Sequence, residues 1–377
     1  MKILLVSSQD YIHHPIPSRH HNIFEDLAER HEVHVAHFHV SRGAARHTRL
    51  IVDEATQFPV TNPLVHYTIN TPYHFHIFKK ILRENRIEMV VAAHVLAGTA
   101  VIHAAKKYHV PVIFDLKDWF PDSAAAYFRN RALQGIIRKS VWAITRRNLA
   151  KSDAITTVSP SLVDKLRSFG FSADLITNGV DTSIFMPQDG TSTRKELGIA
   201  ADDFVIGFCG AVERWYAIDE MIRALPELIH YRENTRLLIV GGSLFTKYDA
   251  ELRRLVGDLG LSEHVIFTGT KPYTELPRYI ACMDVCTIPL SPPQWVDIAL
   301  PNKFFEYSAC GKPIVMRQIP DVTRIGGPNL FVYRTQEDFV SQIKTLMKDP
   351  PTYRIDLENY SWKEKARQFE ALFERLS

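Results

Sequence analysis

The sequence predicts an α/β protein of two doubly wound domains, each a parallel sheet flanked by helices, with a cleft between them. Three observations carry that prediction. Short β-branched runs alternate with helical patterns, as strand–helix–strand units require. The runs form two series with a polar connector between them. The chain's 377 residues are too many for one ordinary domain and enough for two cores. The first series is Ile3–Ser7, Val33–Phe38, Met89–Ala93, Val112–Asp115, Ala154–Val158 and Asp174–Ile176. The second is Phe204–Phe208, Leu237–Val240, Val265–Thr268, Val285–Pro289 and Pro313–Met316. Asn178-Gly179-Val180-Asp181 and the polar stretch Pro187–Arg194 connect them. Trp362–Leu376 has an amphipathic helical spacing suited to packing across the junction. In such sheets ligands bind beyond the carboxyl ends of the strands, so the loops after the strands carry the search for function.

Composition narrows the class. Hydrophobic residues make up 46% and charged residues 23%, as in a soluble globular protein. No apolar run approaches the roughly 18 residues that span a bilayer. Met1–Val6 is too short an apolar core for a signal peptide and reads as a first strand. The four cysteines, Cys209, Cys282, Cys286 and Cys310, have no complementary His/Cys set and read as buried reduced thiols of a cytoplasmic protein. Residues 1–185 hold 22 Lys/Arg against 16 Asp/Glu, and 15 of the 17 histidines, while the remainder holds 23 against 26. The basic first half suits an anionic partner such as a phosphate-bearing lipid or the inner face of a membrane. No nucleic-acid motif accompanies the charge, so nucleic acid is not an expected partner.

The segment richest in chemistry is Pro301-Asn302-Lys303-Phe304-Phe305-Glu306-Tyr307-Ser308-Ala309-Cys310-Gly311-Lys312-Pro313. Pro301 pre-sets a first helical turn and Gly311 is placed to end the helix. A helix start gathers free N–H groups that suit a diphosphate. Lys303 adds a cation, and Glu306, one turn inside, offers a carboxylate to sugar hydroxyls. Together these fit a nucleotide sugar. The plainer reading is a surface helix with a proline start and a glycine stop.

The order of the motifs along the chain resembles a GT-B glycosyltransferase of the family-4 kind, nearly end to end. Its pieces are Asp115–Pro121, Thr157-Val158-Ser159-Pro160, Asn178-Gly179-Val180-Asp181, Gly207–Asp219, Val240-Gly241-Gly242, the Glu306 helix and the closing Tyr360-Ser361-Trp362 helix. The resemblance implies an acceptor-binding domain at 1–183, a nucleotide-sugar-binding domain at 184–360 and a helix at 361–377 returning to the first domain. It implies transfer of a sugar from a nucleotide diphosphate donor to a glycan or polyprenyl-diphosphate-linked acceptor, with retention and no metal. The UDP- or GDP-linked donor is then a substrate, and no cofactor is expected. The chain departs from the family pattern in three places. Where the family has a first glutamate, seven intervening positions before the second, this chain has Ile298, with Asp297 adjacent. Where the glycine loop supplies an Arg and a Lys, this chain has Ala211 and Tyr216 after Gly210. Charge neutralisation on a departing diphosphate matters by several kcal/mol, and Arg214 and Lys303 are the nearest replacements.

Further residues complete the expected site. Gly241 and Gly242 permit close backbone approach to the nucleotide, and Thr270, Lys271 and Tyr273 match the turn that faces the nucleobase. Asp118 is a candidate general base or sugar-hydroxyl ligand; its plainer role is a helix N-cap ahead of Trp119. Asp10, His13, His14, Arg19 and Lys117 are expected to contact the acceptor, a better reading of the two adjacent histidines than a metal site. The basic, aromatic-bearing stretch Tyr127–Lys151, with Arg129, Arg131, Arg138, Lys139, Arg146, Arg147, Phe128 and Trp142, suits an anionic membrane surface, or else is a solvated helix face with its aromatics turned inward. Two other functions compete: a sugar-nucleotide epimerase of the same fold, which needs acid and base groups around one sugar, and a non-catalytic nucleotide-sugar-binding subunit.

Overall fold

A computed structural model describes residues 1–377 apart from residues 15–16, 41–42, 126–127, 129, 245, 292–299 and 350, and describes backbone alone at Pro63 and Leu64. It divides the chain into two compact units, Met1–Asn178 with Trp362–Ser377, and Gly179–Ser361.

The first unit is built on a seven-stranded sheet: β1 (Lys2–Val6), β2 (Glu32–His37), β3 (Ile51–Glu54), β4 (Met89–Ala92), β5 (Val112–Leu116), β6 (Ala154–Thr157) and β7 (Asp174–Leu175). The order is β3-β2-β1-β4-β5-β6-β7 and each pairing is parallel. The chain reverses direction across the sheet between β1 and β4, so their carboxyl ends open a crevice. Near-continuous apolar strands such as Ile3-Leu4-Leu5-Val6 follow from burial on both faces. The closing helix, Trp362–Leu376, packs as expected on this unit. Its buried Trp362, Phe369 and Phe373 join Ile3, Leu5, Phe24 and Val35 in one core, with the Phe24 and Phe369 rings 5.8 Å apart.

The second unit carries a six-stranded parallel sheet: β8 (Phe204–Cys209), β9 (Thr235–Val240), β10 (Val265–Gly269), β11 (Val285–Ile288), β12 (Ile314–Arg317) and β13 (Leu330–Tyr333). Its order, β10-β9-β8-β11-β12-β13, places the reversal between β8 and β11. Alternate residues of β8 serve opposite cores: Phe204, Ile206 and Phe208 on one face, Val205 and Cys209 on the other. All four cysteines are free and buried. The sequence pattern locates every strand of both sheets except β3 and β13, one edge strand in each.

Candidate functional site

In the second unit the expected donor residues come together at the carboxyl ends of β8, β9 and β10. The Asn302–Ala309 helix begins there. Pro301 is its N-cap, one position earlier than a first-turn proline, with extended backbone (φ −70°, ψ 135°); Phe304 N–H donates to Pro301 O at 3.1 Å, and among the described residues no side chain caps the start. The Asn302 Oδ1 at this helix start is buried with no hydrogen-bond partner among the described residues. Gly311 closes the helix at φ +70°.

The glycines make room for this arrangement. Gly241 (φ +138°) brings its backbone so close to the Gly210 carbonyl that a Cβ would lie 1.9 Å from the oxygen. Gly210 (φ +144°) lies under Lys303, and a Cβ there would fall 2.2 Å from Lys303 Cε. Backbone bonds lock the three loops: Gly210 N–H donates to Val240 O at 2.8 Å, Val212 N–H to Gly242 O at 3.0 Å, and Gly241 N–H to Gly269 O at 3.0 Å. Gly242 packs against Thr270, whose Oγ1 would be 2.9 Å from a Cβ.

Lys303 donates from Nζ to the Tyr216 hydroxyl at 2.8 Å and lies 4.2 Å from the centre of that ring. Burial disfavours its ammonium, but the Tyr216 hydroxyl and the Glu306 carboxylate outweigh that penalty, and its pKa rises above the usual lysine value. Glu306 is 8% exposed and accepts from the Tyr273 hydroxyl at 3.2 Å. Burial raises its pKa above that of an ordinary glutamate, and Lys303 and Tyr273 offset part of the rise. The site therefore holds a carboxylate whose charge is poorly satisfied by the protein alone, next to a well-supported cation. Such perturbed groups at a strand-end crevice make this a candidate binding site.

Two residues expected here have other partners. Arg214, 61% exposed, forms an ion pair with Glu251 and lies over the Tyr248 ring. It serves the surface, held by Glu251 on the neighbouring Tyr248–Asp258 helix. Lys271 is half-buried with Nζ 5.5 Å from the centre of the Tyr279 ring. Asp297 and Ile298 lie outside the described residues. The group the sequence reading missed is Tyr216: it marks a missing lysine in the family pattern, yet its hydroxyl supports Lys303. Glu213 is also fully buried and ties the loop down, accepting from Leu244 N–H at 2.7 Å and Thr246 Oγ1 at 2.6 Å.

In the first unit the corresponding crevice holds a closed charge network. Arg19, expected to face an acceptor, is 3% exposed; its Nε and Nη2 donate to Asp115 at 3.1 and 3.3 Å and its Nη1 to Thr177 O at 2.8 Å. Its role is inside the fold, because all three donor nitrogens are engaged there. Asp115 also accepts from Thr156 Oγ1 at 2.7 Å and from His20 Nε2 at 2.9 Å. Burial alone would raise the Asp115 pKa, but Arg19, His20 and Thr156 hold it well below the usual carboxylate range. Burial lowers the His20 pKa, so a neutral ring with Nε2–H toward Asp115 and Nδ1 accepting from Ser7 Oγ at 3.0 Å fits the network. Asp118 is exposed and its Oδ1 accepts from Trp119 N–H at 2.9 Å, next to the start of the Phe120–Ala125 helix. This bond to the adjacent N–H lies one position ahead of the helix and is not the N-cap bond expected of Asp118. Lys117 is half-buried just past β5. His13 Nδ1 faces Asp10 Oδ2 at 3.4 Å, while the His14 carbonyl accepts from Arg46 Nη2 at 3.1 Å. On the basic helix Arg131–Lys151, Trp142 turns to Trp119 and Phe169, with ring centres 5.0 and 4.4 Å away. Ile136 and Leu133 remain 61% and 39% exposed. Tyr127 and Arg129 lie outside the described residues. Among the described residues no helix is long and apolar enough to cross a membrane.

Comparison with known proteins agrees with this architecture. Residues 20–184 match the family model described as Glycosyltransferase Family 4, and residues 203–349 match the model described as Glycosyl transferases group 1. The chain belongs to the GT-B glycosyltransferases of the family-4 kind. It is 34% identical over 210 residues to a GDP-mannose-dependent alpha-(1-6)-phosphatidylinositol monomannoside mannosyltransferase of Mycolicibacterium smegmatis, covering 53% of this chain and 54% of that protein. It is 29% identical over 220 residues to a D-inositol 3-phosphate glycosyltransferase of Stackebrandtia nassauensis, covering 54% and 48%. The chain thus spans about half the length of these curated relatives. In fold it is similar to sucrose-phosphate synthase from Thermosynechococcus elongatus, with a TM-score of 0.81 at 18% identity over 100% of this chain and 98% of the other. Anabaena HepE, solved in complex with UDP, aligns with a TM-score of 0.69 at 16% identity, covering 100% and 97%.

Proposed function

We propose that this chain transfers a sugar from a nucleotide diphosphate donor to a glycan or lipid-linked acceptor. One observation carries the reading: Lys303, Glu306 and an uncapped helix start meet the close-packed glycines Gly210, Gly241 and Gly242 at one end of the second sheet. In this reading the helix start, with Pro301, Asn302 and Phe304, and Lys303 hold the diphosphate, so the donor site takes no metal and the transfer no cofactor. Glu306 accepts hydrogen bonds from sugar hydroxyls, and the backbone around Thr270, Lys271 and Tyr273 receives the base. Lys303 stabilises the charge that grows on the diphosphate as the bond to the anomeric carbon breaks.

The acceptor belongs to the first unit, where Asp10, His13, His14 and Lys117 line the loops after β1 and β5. The acceptor oxygen bonds to the anomeric carbon, the diphosphate leaves with the bonding electron pair, and the hydroxyl proton passes to a diphosphate oxygen with retention. Asp118 is the carboxylate that would take that proton instead in an inverting reaction. The named mannosyl- and inositol-phosphate-type relatives make GDP-mannose the first donor to test and a phosphate-bearing lipid a fitting acceptor. Surface-polysaccharide synthesis at the inner face of a cell membrane fits such an acceptor. Exposed Leu133 and Ile136 beside Arg131 and Lys139 on the basic helix suit anionic lipid.

Incubation with radiolabelled GDP- and UDP-sugars and a membrane lipid extract tests the proposal. Label transferred to lipid or glycan is expected. An altered free nucleotide sugar would point to an epimerase, and tight binding without turnover to a non-catalytic subunit. In Glu306→Ala, donor binding is nearly abolished; unchanged affinity would remove the site from this position.

A further inference from the structure

Away from the donor residues, the first sheet gathers a second constellation at the carboxyl ends of β1, β2 and β3. Asp10 and His13 come from the loop after β1, His37 ends β2 and Glu54 ends β3. Parallel register pairs His37 directly with Glu54. Asp10 is 2% and His37 7% exposed. His13 Nδ1 lies 3.3 Å from His37 Nε2 and 3.4 Å from Asp10 Oδ2, and His37 Nε2 lies 3.7 Å from Asp10 Oδ1. Donor atoms of Asp10, His13 and His37 all fall within 4.8 Å of one another.

Those spacings have a physical meaning. Ligands about 2.0–2.1 Å from a tetrahedral zinc ion stand roughly 3.3–3.4 Å apart; His13 Nδ1 stands at that distance from both His37 Nε2 and Asp10 Oδ2, and one donor atom from each residue falls within 4.8 Å of the others. The loop is also held in place from outside. Asp10 Oδ1 accepts from the N–H groups of Ile12 and His13 at 3.1 and 3.0 Å, and Arg46 N–H donates to Ile12 O at 2.8 Å. On the far side of His37, Nδ1 faces Glu54 Oε2 at 3.5 Å, and the same oxygen accepts from His39 Nε2 at 2.7 Å. A carboxylate behind a histidine ring fixes the tautomer that points its other nitrogen at a metal.

We propose that Asp10, His13 and His37 form a site for one divalent transition-metal ion of the zinc type, with Glu54 and His39 as its outer support. Two imidazoles and one carboxylate are a borderline donor set that favours zinc over calcium or magnesium. Three protein ligands leave a fourth position for water or an anion oxygen. The ion ties the β1 loop to the ends of β2 and β3. The site takes over Asp10 and His13 from the acceptor contacts proposed above, leaving His14 and Lys117 to that role, and its occupancy is read without any sugar donor.

The test uses the full chain without a histidine tag, stripped with chelator and titrated with Zn²⁺ by calorimetry and with Co²⁺ by visible absorption. One equivalent is expected to bind, with the Co²⁺ bands of a four-coordinate ion and a rise in melting temperature. His13→Ala and Asp10→Asn each weaken binding at least about 100-fold and abolish those bands, and Glu54→Gln weakens it about 10–100-fold. His14→Ala, next to the site, leaves it unchanged. His13 sits on a loop and is half-buried, so its variant keeps the fold, which circular dichroism verifies. Absence of a one-to-one complex in the parent protein, or a complex that survives in His13→Ala with the same affinity and spectrum, would overturn the proposal.

Discussion

The strand-end crevices of the two sheets both bury charge, and they do so in opposite ways. In the first, Asp115 is surrounded by Arg19, His20 and Thr156, and its carboxylate is held below the ordinary range. In the second, Glu306 has the Tyr273 hydroxyl and the nearby Lys303, and burial still leaves its pKa raised. Asn302 Oδ1, at the start of the same helix, has no hydrogen-bond partner among the described residues. A buried charge whose hydrogen-bonding capacity is filled by the protein is part of the architecture. One left under-satisfied signals a missing ligand, because an unmet buried polar group costs free energy that a ligand can recover. The contrast also separates two arginines that look equivalent in sequence: Arg19 is locked inside, and Arg214 lies on the surface with Glu251.

The largest effect should come from breaking the satisfied pair. Asp115→Ala leaves the Arg19 guanidinium buried without its counter-ion and should cost about 3–5 kcal/mol of stability. Urea denaturation measures it, and a loss below about 1 kcal/mol would contradict an architectural role. Replacing both partners with apolar residues should recover much of the loss.

Glu306→Gln probes the opposite case. A hydrogen bond to a charged group contributes about 1.5–3 kcal/mol, so donor affinity should fall on the order of 10–100-fold by calorimetry. Stability should move the other way. A raised native pKa means the folded state keeps a proton that the unfolded chain has released, so rising pH through that window destabilises the parent. The glutamine variant escapes that loss and should melt higher than the parent above the window, with the difference vanishing below the ordinary glutamate range. Donor affinity of the parent should fall on acidification at a pH above that at which a solvated glutamate titrates. An equal or lower melting temperature for the variant at neutral pH would show that the protein already satisfies the Glu306 charge.

What the sequence made legible follows from how far each signal travels along the chain. Strands buried on both faces read as continuous apolar runs and were found. The edge strand β3 has Ile51 and Val52 46% and 44% exposed, followed by Asp53-Glu54, which blurs its pattern. β13 follows Gly326-Gly327-Pro328 and pairs only with β12, so its apolar run stands apart from the strand–helix rhythm. The proposed donor side was legible because one contiguous stretch supplies the helix start, the cation and the carboxylate. The Arg19–Asp115 pair spans 96 positions and the Lys303–Tyr216 contact 87, so no local pattern announces either. Tyr216 therefore read as a lost cation. His37 and Glu54 escaped notice for the same reason, since only strand register brings them together.

Gly241→Ala tests the close packing that shapes the proposed donor side. The new Cβ would meet the Gly210 carbonyl at 1.9 Å, and the backbone is at φ +138°. Strain of this kind costs about 1–3 kcal/mol. The expected result is a melting temperature lowered accordingly, and a donor affinity reduced further by displacement of the Gly210 loop. An alanine variant with parental stability would show that the two glycines do not need their close approach.

The smallest effect should come from Tyr216→Phe, and it bears most directly on the departure from the family pattern. The substitution keeps the ring beneath Lys303 and removes only the hydroxyl that accepts from Nζ at 2.8 Å. A single hydrogen bond of this type contributes about 0.5–1.5 kcal/mol, so donor affinity should drop a few-fold with little change in melting temperature. Tyr216→Leu removes the cation–ring contact as well and should lose a further ~0.5–2 kcal/mol. If the tyrosine merely fills space, phenylalanine will match the parent in donor affinity and leucine will fall short only in stability. If it fixes the ammonium that faces the diphosphate, both variants will lose affinity in that order, and the loss will shrink at high salt, where free charges are screened.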